Sequence, residues 1–363
     1  MSEAKTSVVL FGPSLGAVSG VSTHLNQLLA SSLANDFSLR HFLVGREGRV
    51  ESGLARLFRF VFSPLILAWY LLKTRPDIVH LNTSINRKAF WRDLSYLFVA
   101  RSLRFKTLYQ VHGGELPEDF AGRRPLRLGL LRWVLRMPQA VVVLAECEKT
   151  AYRQFVPTTR VEVIPNAIDI QVSEAIAQRA ITTAPLHVVY VGRLARTKGI
   201  FEILEAVRLL QDRGIAMTVT LAGDGEEAQA LQAMVARLDI GARVRFAGPV
   251  FGADKDRLWA SADVFAFPTF HSEGLPYALL ECMAFGVVPV TTAVAAIPDV
   301  MQDGKHGYLI PAKDPPALAD AIARLDADRA ALQRMSRASQ QRIQEHYTLE
   351  RMANDFRLLY QSL

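Results

Sequence analysis

One local pattern recurs along the whole chain. A short β-branched or apolar run, closed by Gly, Pro or polar residues, is followed each time by a longer stretch of helical period. That alternation is the signature of parallel βαβ units, since a parallel strand can be reached only through a long crossover. The front half carries strand candidates at Ser7–Phe11, Leu39–Val44, Ile78–Leu81, Thr107–Val111, Ala140–Leu144 and Val161–Ile164. The rear half carries them at His187–Val191, Met217–Ala222, Val244–Ala247, Val264–Phe267, Val288–Thr291 and Tyr308–Ile310. Two doubly wound α/β sheets follow, and 363 residues suffice for two cores. Ile170–Pro185 lacks strand character and holds Thr182, Thr183 and Pro185, which places the linker there. The expected organisation is a front domain over 1–172, a rear domain over 173–345 and a C-terminal helix in 346–363 packing back on the front domain.

Hydrophobic residues at 50% and charged residues at 21% exclude disordered, collagen-like and coiled-coil chains. The net charge of +7 is unevenly spread. Residues 1–175 hold 22 basic and 14 acidic side chains, and residues 56–136 alone hold 15 against 5. The surplus therefore belongs to the front half, where it implies an anionic partner: a membrane surface, a nucleic acid or a phosphorylated substrate. No nucleic-acid recognition module accompanies it. Two cysteines, Cys147 and Cys282, lack metal-ligand spacing and fit a reducing, cytoplasmic setting. The N-terminus does not read as a signal peptide. The longest apolar run, Phe60–Leu72, is interrupted by Ser63-Pro64 and is shorter than the ~20 residues that cross a bilayer.

Ligands of open α/β sheets bind at the carboxyl ends of the strands, so the informative loops are those that follow them. After Val264–Phe267 the chain reads Pro-Thr-Phe-His-Ser-Glu-Gly-Leu-Pro-Tyr-Ala-Leu-Leu-Glu, which sets Glu273 in a loop and Glu281 eight positions on. At ~1.5 Å of helical rise per residue their separation is at most about 12 Å, the scale of a sugar-diphosphate-ribose unit. Pro276 suits a first helical turn, and the amides of Gly274 and Leu275 are placed to meet an anion. An acidic helix start plus one surface Glu is the plainer alternative. After His187–Val191 come Arg193, Arg196 and Lys198, a cationic turn in which Arg193 and Lys198 are the candidate phosphate ligands and Arg196 a solvated bystander. After Ser7–Phe11, Gly12, Gly16 and Gly20 recur at every fourth position, which is neither a dinucleotide fingerprint nor a P-loop. His112 and His80 are read as strand-end residues at a cleft, each with a structural role as the alternative. Asp254-Lys-Asp256 resembles a metal-binding D-x-D but is read as a helix cap.

Taken as a series, these segments resemble family 4 of the retaining, nucleotide-sugar-dependent glycosyltransferases. The match is the E-x7-E spacing of Glu273 and Glu281 after an F-x-F-P-T strand end, with Gly192–Gly199, Ile164–Asp169, Leu221–Gly225 and Asp303–Leu309 in the family's order. The resemblance implies the GT-B fold, two Rossmann-like domains facing an interdomain cleft, with acceptor binding in front and donor binding behind. It further implies that Arg193 and Lys198 neutralise the departing diphosphate and that Glu281 holds the ribose. Glu273 and His112 would meet the donor sugar, Gly20 the diphosphate region, and Gly248 and Val250 the base. No cofactor and no metal ion are expected. Ser19-Gly20 stands where the family often has a double glycine, and Ala295-Ala-Ile-Pro-Asp299 where it often has Gly-Gly-x-Pro-Glu. Both departures bear on donor choice.

The expected reaction is transfer from a UDP- or GDP-sugar to a glycan or polyprenyl-linked acceptor in bacterial surface polysaccharide or lipopolysaccharide synthesis. The basic front half, with Phe60–Leu72 and Arg123–Arg136, is the candidate for peripheral contact with an anionic membrane. A nucleotide-sugar epimerase of the same fold and a non-catalytic anionic-lipid-binding protein are the competing readings.

Overall fold

The computed structural model describes residues 5–45, 52–85, 87–122, 124–169, 185–271 and 274–363. Residues 170–184, most of the expected linker, lie outside the described residues. The chain divides into a front unit, Met1–Ala167 with Glu273–Leu275 and Leu349–Leu363, and a rear unit, Ile168–Ser272 with Pro276–Thr348.

The front sheet is parallel and six-stranded, in the order β2-β1-β3-β4-β5-β6. Its strands are β1 Ser7–Gly12, β2 Ser38–Leu43, β3 Ile78–Ile85, β4 Lys106–Gly114, β5 Ala140–Val143 and β6 Val161–Val163. Alternation of side chains sends its residues to two separate cores, as expected for a sheet covered on both faces. Val9, Phe11, Val79, Leu81, Tyr109 and Val111 pack with Leu67 and Leu71 of the helix Gly53–Thr74 and Leu97 of the helix Arg87–Ser102. Val8, Leu10, Ile78 and Leu108 pack instead against Leu25 and Leu28 of the helix Gly20–Ala30. The same core takes Met352, Phe356, Leu359 and Tyr360, which form one stripe of the last helix, Leu349–Gln361.

The rear sheet is also parallel, in the order β12-β11-β10-β7-β8-β9. It comprises β7 Leu186–Val191, β8 Met217–Ala222, β9 Val244–Gly248, β10 Val264–Phe267, β11 Val288–Thr292 and β12 Tyr308–Ile310. Counted from its own first strand, this is the 3-2-1-4-5-6 Rossmann order.

Every expected strand is present, and two run three or more residues further than the sequence suggested. β3 continues to Ile85 and β4 to Gly114, so His80 and His112 lie inside strands and not beyond their ends. The polar residues that read as strand ends are paired and buried: Asn82 lies opposite Gln110, and its amide donates to the Phe11 carbonyl at 3.0 Å. His80 is fully buried, which corrects its reading as a cleft residue.

Among the described residues no helix is long and apolar enough to cross a membrane. Gly53–Thr74 does leave Phe58, Phe62, Leu65, Ile66, Trp69 and Leu72 exposed opposite its buried Leu67 and Leu71.

Ala295, at a position where a glycine is common in the resembling family, has φ +49°. That left-handed conformation costs a non-glycine residue ~1–2 kcal/mol. Ala295→Gly is therefore expected to raise unfolding stability by about 1 kcal/mol, after the entropy that glycine loses on folding. A urea midpoint that stays put or falls would contradict this.

Candidate functional site

Strand order in the rear sheet reverses between β7 and β10, the switch point at which open α/β sheets bind ligands. The two loops that leave the sheet there are laced together. Phe270 N donates to Thr197 O at 2.9 Å, and Thr269 Oγ1 donates to the same carbonyl at 3.3 Å. Gly199 makes this approach possible. Its φ is +76°, and a Cβ on it would lie 2.1 Å from the Pro268 carbonyl oxygen. The Tyr190 hydroxyl donates to Arg193 O at 2.8 Å and fixes the other end of the cationic turn. Leu194 N donates to Asp224 O at 2.8 Å, tying the turn to the loop after β8.

This scaffold sets Lys198 within reach of the Arg193 charge. Burial and the neighbouring Arg193 charge push the Lys198 ammonium down to about 8. Its Nζ stands 5.7 Å from the centre of the Phe267 ring. His271, which sequence reasoning missed, is lowered by burial and by both cations. Positive charge gathered in a partly desolvated turn is unfavourable by itself and becomes favourable around an anion. Arg196 is exposed, with its guanidinium over the Phe201 ring at 4.0 Å.

Glu281 lies in the helix Tyr277–Ala284, with Pro276 at its N-cap, one position earlier than a first-turn residue. Lys255 Nζ donates to Glu281 Oε1 at 2.7 Å, and Trp259 Nε1 donates to Oε2 at 3.2 Å. A carboxylate has about four acceptor positions, so these two bonds leave room for the paired hydroxyls of a ribose. The helix carrying both donors is Gly252–Ser261, capped at Phe251 without a side-chain bond; Asp254 sits in its first turn and pairs with Arg257. The D-x-D stretch is thus no cap. Its useful residue is the lysine between the two aspartates, a role that local spacing does not signal. Gly248 closes β9 with φ +69°, and Val250 follows half-buried in the loop before that helix. Glu273 lies outside the described residues.

In the front unit, Gly20 is the first residue of its helix and is exposed; the Ser19 side chain caps that helix by accepting from Ser22 N at 3.3 Å. His112 Nε2 donates to Asn82 Oδ1 at 2.7 Å. The Asn82 amide is oriented by its own bond to the Phe11 carbonyl, so the imidazole is held in one tautomer with Nδ1 as an acceptor. His24 and His80 both donate through Nε2 to Gln110 Oε1, at 3.1 and 2.9 Å, and His80 Nδ1 accepts from the Tyr360 hydroxyl at 2.7 Å. Burial holds His24 down at about 4 and His80 at about 3, and it holds His112 well below the usual range with help from the other two rings. All three are neutral at physiological pH, which suits hydrogen bonding and not proton donation. Gly274 and Leu275 count with this unit. A Cβ on Gly274 would lie 2.6 Å from the His112 carbonyl oxygen, and Asn166 Nδ2 donates to Leu275 O at 2.7 Å.

Residues 185–328 match the family described as "Glycosyl transferases group 1", and residues 19–172 match "Glycosyltransferase Family 4". The chain belongs to the group 1, family-4-like glycosyltransferases. It is 32% identical over 155 residues to the putative colanic acid biosynthesis glycosyltransferase WcaL of Escherichia coli K12, covering 40% of this chain and 38% of that one. It is 27% identical over 307 residues to the amylovoran biosynthesis glycosyltransferase AmsK of Erwinia amylovora, covering 81% and 70%. The chain thus spans under two fifths of the length of the first of these relatives. The Anabaena HepE protein in complex with UDP and glucose superposes with a TM-score of 0.75 at 18% identity, over 99% of this chain and 100% of that one. The glycosyltransferase's fold is GT-B.

Because Lys198 binds an anion only when protonated, affinity of this turn for sulfate, an anion that does not itself titrate in this range, is expected to weaken above about pH 8. Calorimetric titrations from pH 6.5 to 9.5 should show that fall in the wild type and not in Lys198→Met. A pH-independent wild-type affinity would remove Lys198 from the anion site.

Proposed function

We propose that the protein is a retaining glycosyltransferase that moves a sugar from a UDP- or GDP-sugar to a glycan or polyprenyl-linked acceptor. The observation that carries this reading is the group formed by Arg193, Lys198 and His271 at the rear switch point. As the bond from the anomeric carbon to the donor phosphate breaks, negative charge grows on the leaving diphosphate. Two cations already in place stabilise it without reorganisation, the most effective use of such groups. The reaction runs on those protein cations without a metal ion or other cofactor. Glu281 holds the ribose, its carboxylate oriented by Lys255 and Trp259. Gly248 and Val250 border the base, Gly274 and Leu275 offer amides to the donor, and Glu273 takes the sugar hydroxyls. His112 offers the neutral Nδ1 as an acceptor to the sugar, and Gly20 marks the diphosphate side of the front unit.

The pathway is synthesis of a bacterial surface polysaccharide or lipopolysaccharide; the names of WcaL and AmsK, which speak of colanic acid and amylovoran biosynthesis, support the first. The site of action is the cytoplasmic face of the cell membrane. What supports this is the exposed stripe on Gly53–Thr74, where Trp69 is 62% exposed and Lys73 Nζ lies 4.9 Å from its ring centre. Aromatic side chains beside lysines are the chemistry of an anionic bilayer interface.

Lys198→Ala and Glu281→Ala are each expected to lower transfer about 10²–10³-fold, with wild-type activity unchanged by a chelator. Full activity in both variants would defeat the assignment, and conversion of the nucleotide sugar without acceptor would favour the epimerase reading. In flotation with phosphatidylglycerol vesicles at low salt, the wild type should rise with the lipid and Trp69→Ser/Leu65→Ser should rise less. Absence of any wild-type flotation removes the membrane contact.

A further inference from the structure

The front unit holds an apolar groove that the donor chemistry does not use. It has a volume of about 320 Å³ and is lined by Phe90, Trp91, Phe120, Leu126, Arg127 and Leu130, which is within the range of small-molecule sites. Its walls come from three helices, Arg87–Ser102, Pro117–Ala121 and Pro125–Leu135. The first leaves the carboxyl end of β3, and the other two follow β4, the strand that carries His112. The groove therefore sits among elements leaving the ligand-binding edge of this sheet.

Its floor is aromatic and fixed. Phe90 is 3% exposed and packs on Phe120 at 5.0 Å and on Trp91 at 5.4 Å between ring centres. Its rim is unusually apolar for a surface. Leu126 is 88% exposed and Trp91 55%. Leu126, Leu130 and Trp133 fall at i, i+4 and i+7, so one apolar line runs about 10 Å along the helix at its usual rise. Trp133 is itself exposed at the far end of that line. At the near end stand two exposed cations, Arg127 in the lining and Arg124 just before the helix. The acidic Glu118 and Asp119 occupy the first turn of the preceding helix, where they complement its dipole.

A linear apolar channel with guanidinium groups at one end matches a molecule with a chain and an anionic head. A compact sugar would cover one ring and leave the rest of the line Leu126, Leu130 and Trp133 in water, and a free phosphate would use only the rim. We propose that this groove binds the apolar chain of a phosphate-bearing acceptor lipid, with Arg127 and Arg124 on the phosphate. This rests on the reading of the protein as a glycosyltransferase with a lipid-linked acceptor, and it assigns the acceptor's chain a site on the enzyme separate from the bilayer stripe on Gly53–Thr74.

The test uses geranylgeranyl phosphate as the probe, titrated calorimetrically into the full-length protein without bilayers. Saturable binding is expected, weakened at least tenfold in Leu126→Ser and in Arg127→Gln. Both side chains are exposed, so neither change disturbs the core. Inorganic phosphate should bind far more weakly. No saturable binding, equal binding in the variants, or equally tight binding of inorganic phosphate would each overturn the groove assignment. UDP titrated into the same samples separates the two readings. UDP binding without probe binding leaves the glycosyltransferase and removes the groove, and the converse keeps the groove and removes the donor site.

Discussion

Lys198 stands half-buried beside the exposed Arg193, an arrangement that needs a rigid scaffold. The scaffold is the pair of loops leaving β7 and β10, drawn together by Thr197 and Thr269 and by the absence of a side chain at Gly199. The depressed Lys198 ammonium is the electrostatic trace of that arrangement. A rear sheet that reverses its order between these same two strands supplies the geometry, because only there do adjacent strands send their following helices to opposite faces and leave a crevice.

The front unit solves a different problem. Its buried polar residues are linked by hydrogen bonds, in which Gln110 joins His24 to His80 and Tyr360 ties the C-terminal helix to His80. Buried groups so linked stay neutral and hold one tautomer, so His112 beside them is a fixed acceptor. Positive charge in this unit lies on its outer helices, together with exposed aromatic side chains. The two kinds of cation therefore differ in setting: a half-buried lysine beside an exposed arginine in the rear, and exposed arginines in front.

Much of this was legible in the residues. Runs such as Val264–Phe267 and Met217–Ala222 are apolar enough to specify strands buried on both faces, and their observed limits coincide with the sequence reading. Arg193 and Lys198 were legible because a strand, a glycine and two cations stand close in the chain. Asn82 and Thr83 hid the true length of β3, since polar residues look like a strand end unless their partners across the sheet are known. Lys255 was invisible for a similar reason: it meets Glu281 from 26 positions away, and nothing local distinguishes it from a helix-capping stretch. The groove was hidden because Phe90, Phe120 and Leu126 converge only through three helices, although the basic surplus around them was plain.

A crystal structure with UDP bound tests the central claim most directly. The account predicts diphosphate oxygens within hydrogen-bonding distance of both Arg193 and Lys198, with the ribose hydroxyls on Glu281 and the Lys255 bond to that carboxylate retained. A diphosphate bound elsewhere, or a ribose that leaves Glu281 untouched, would contradict it.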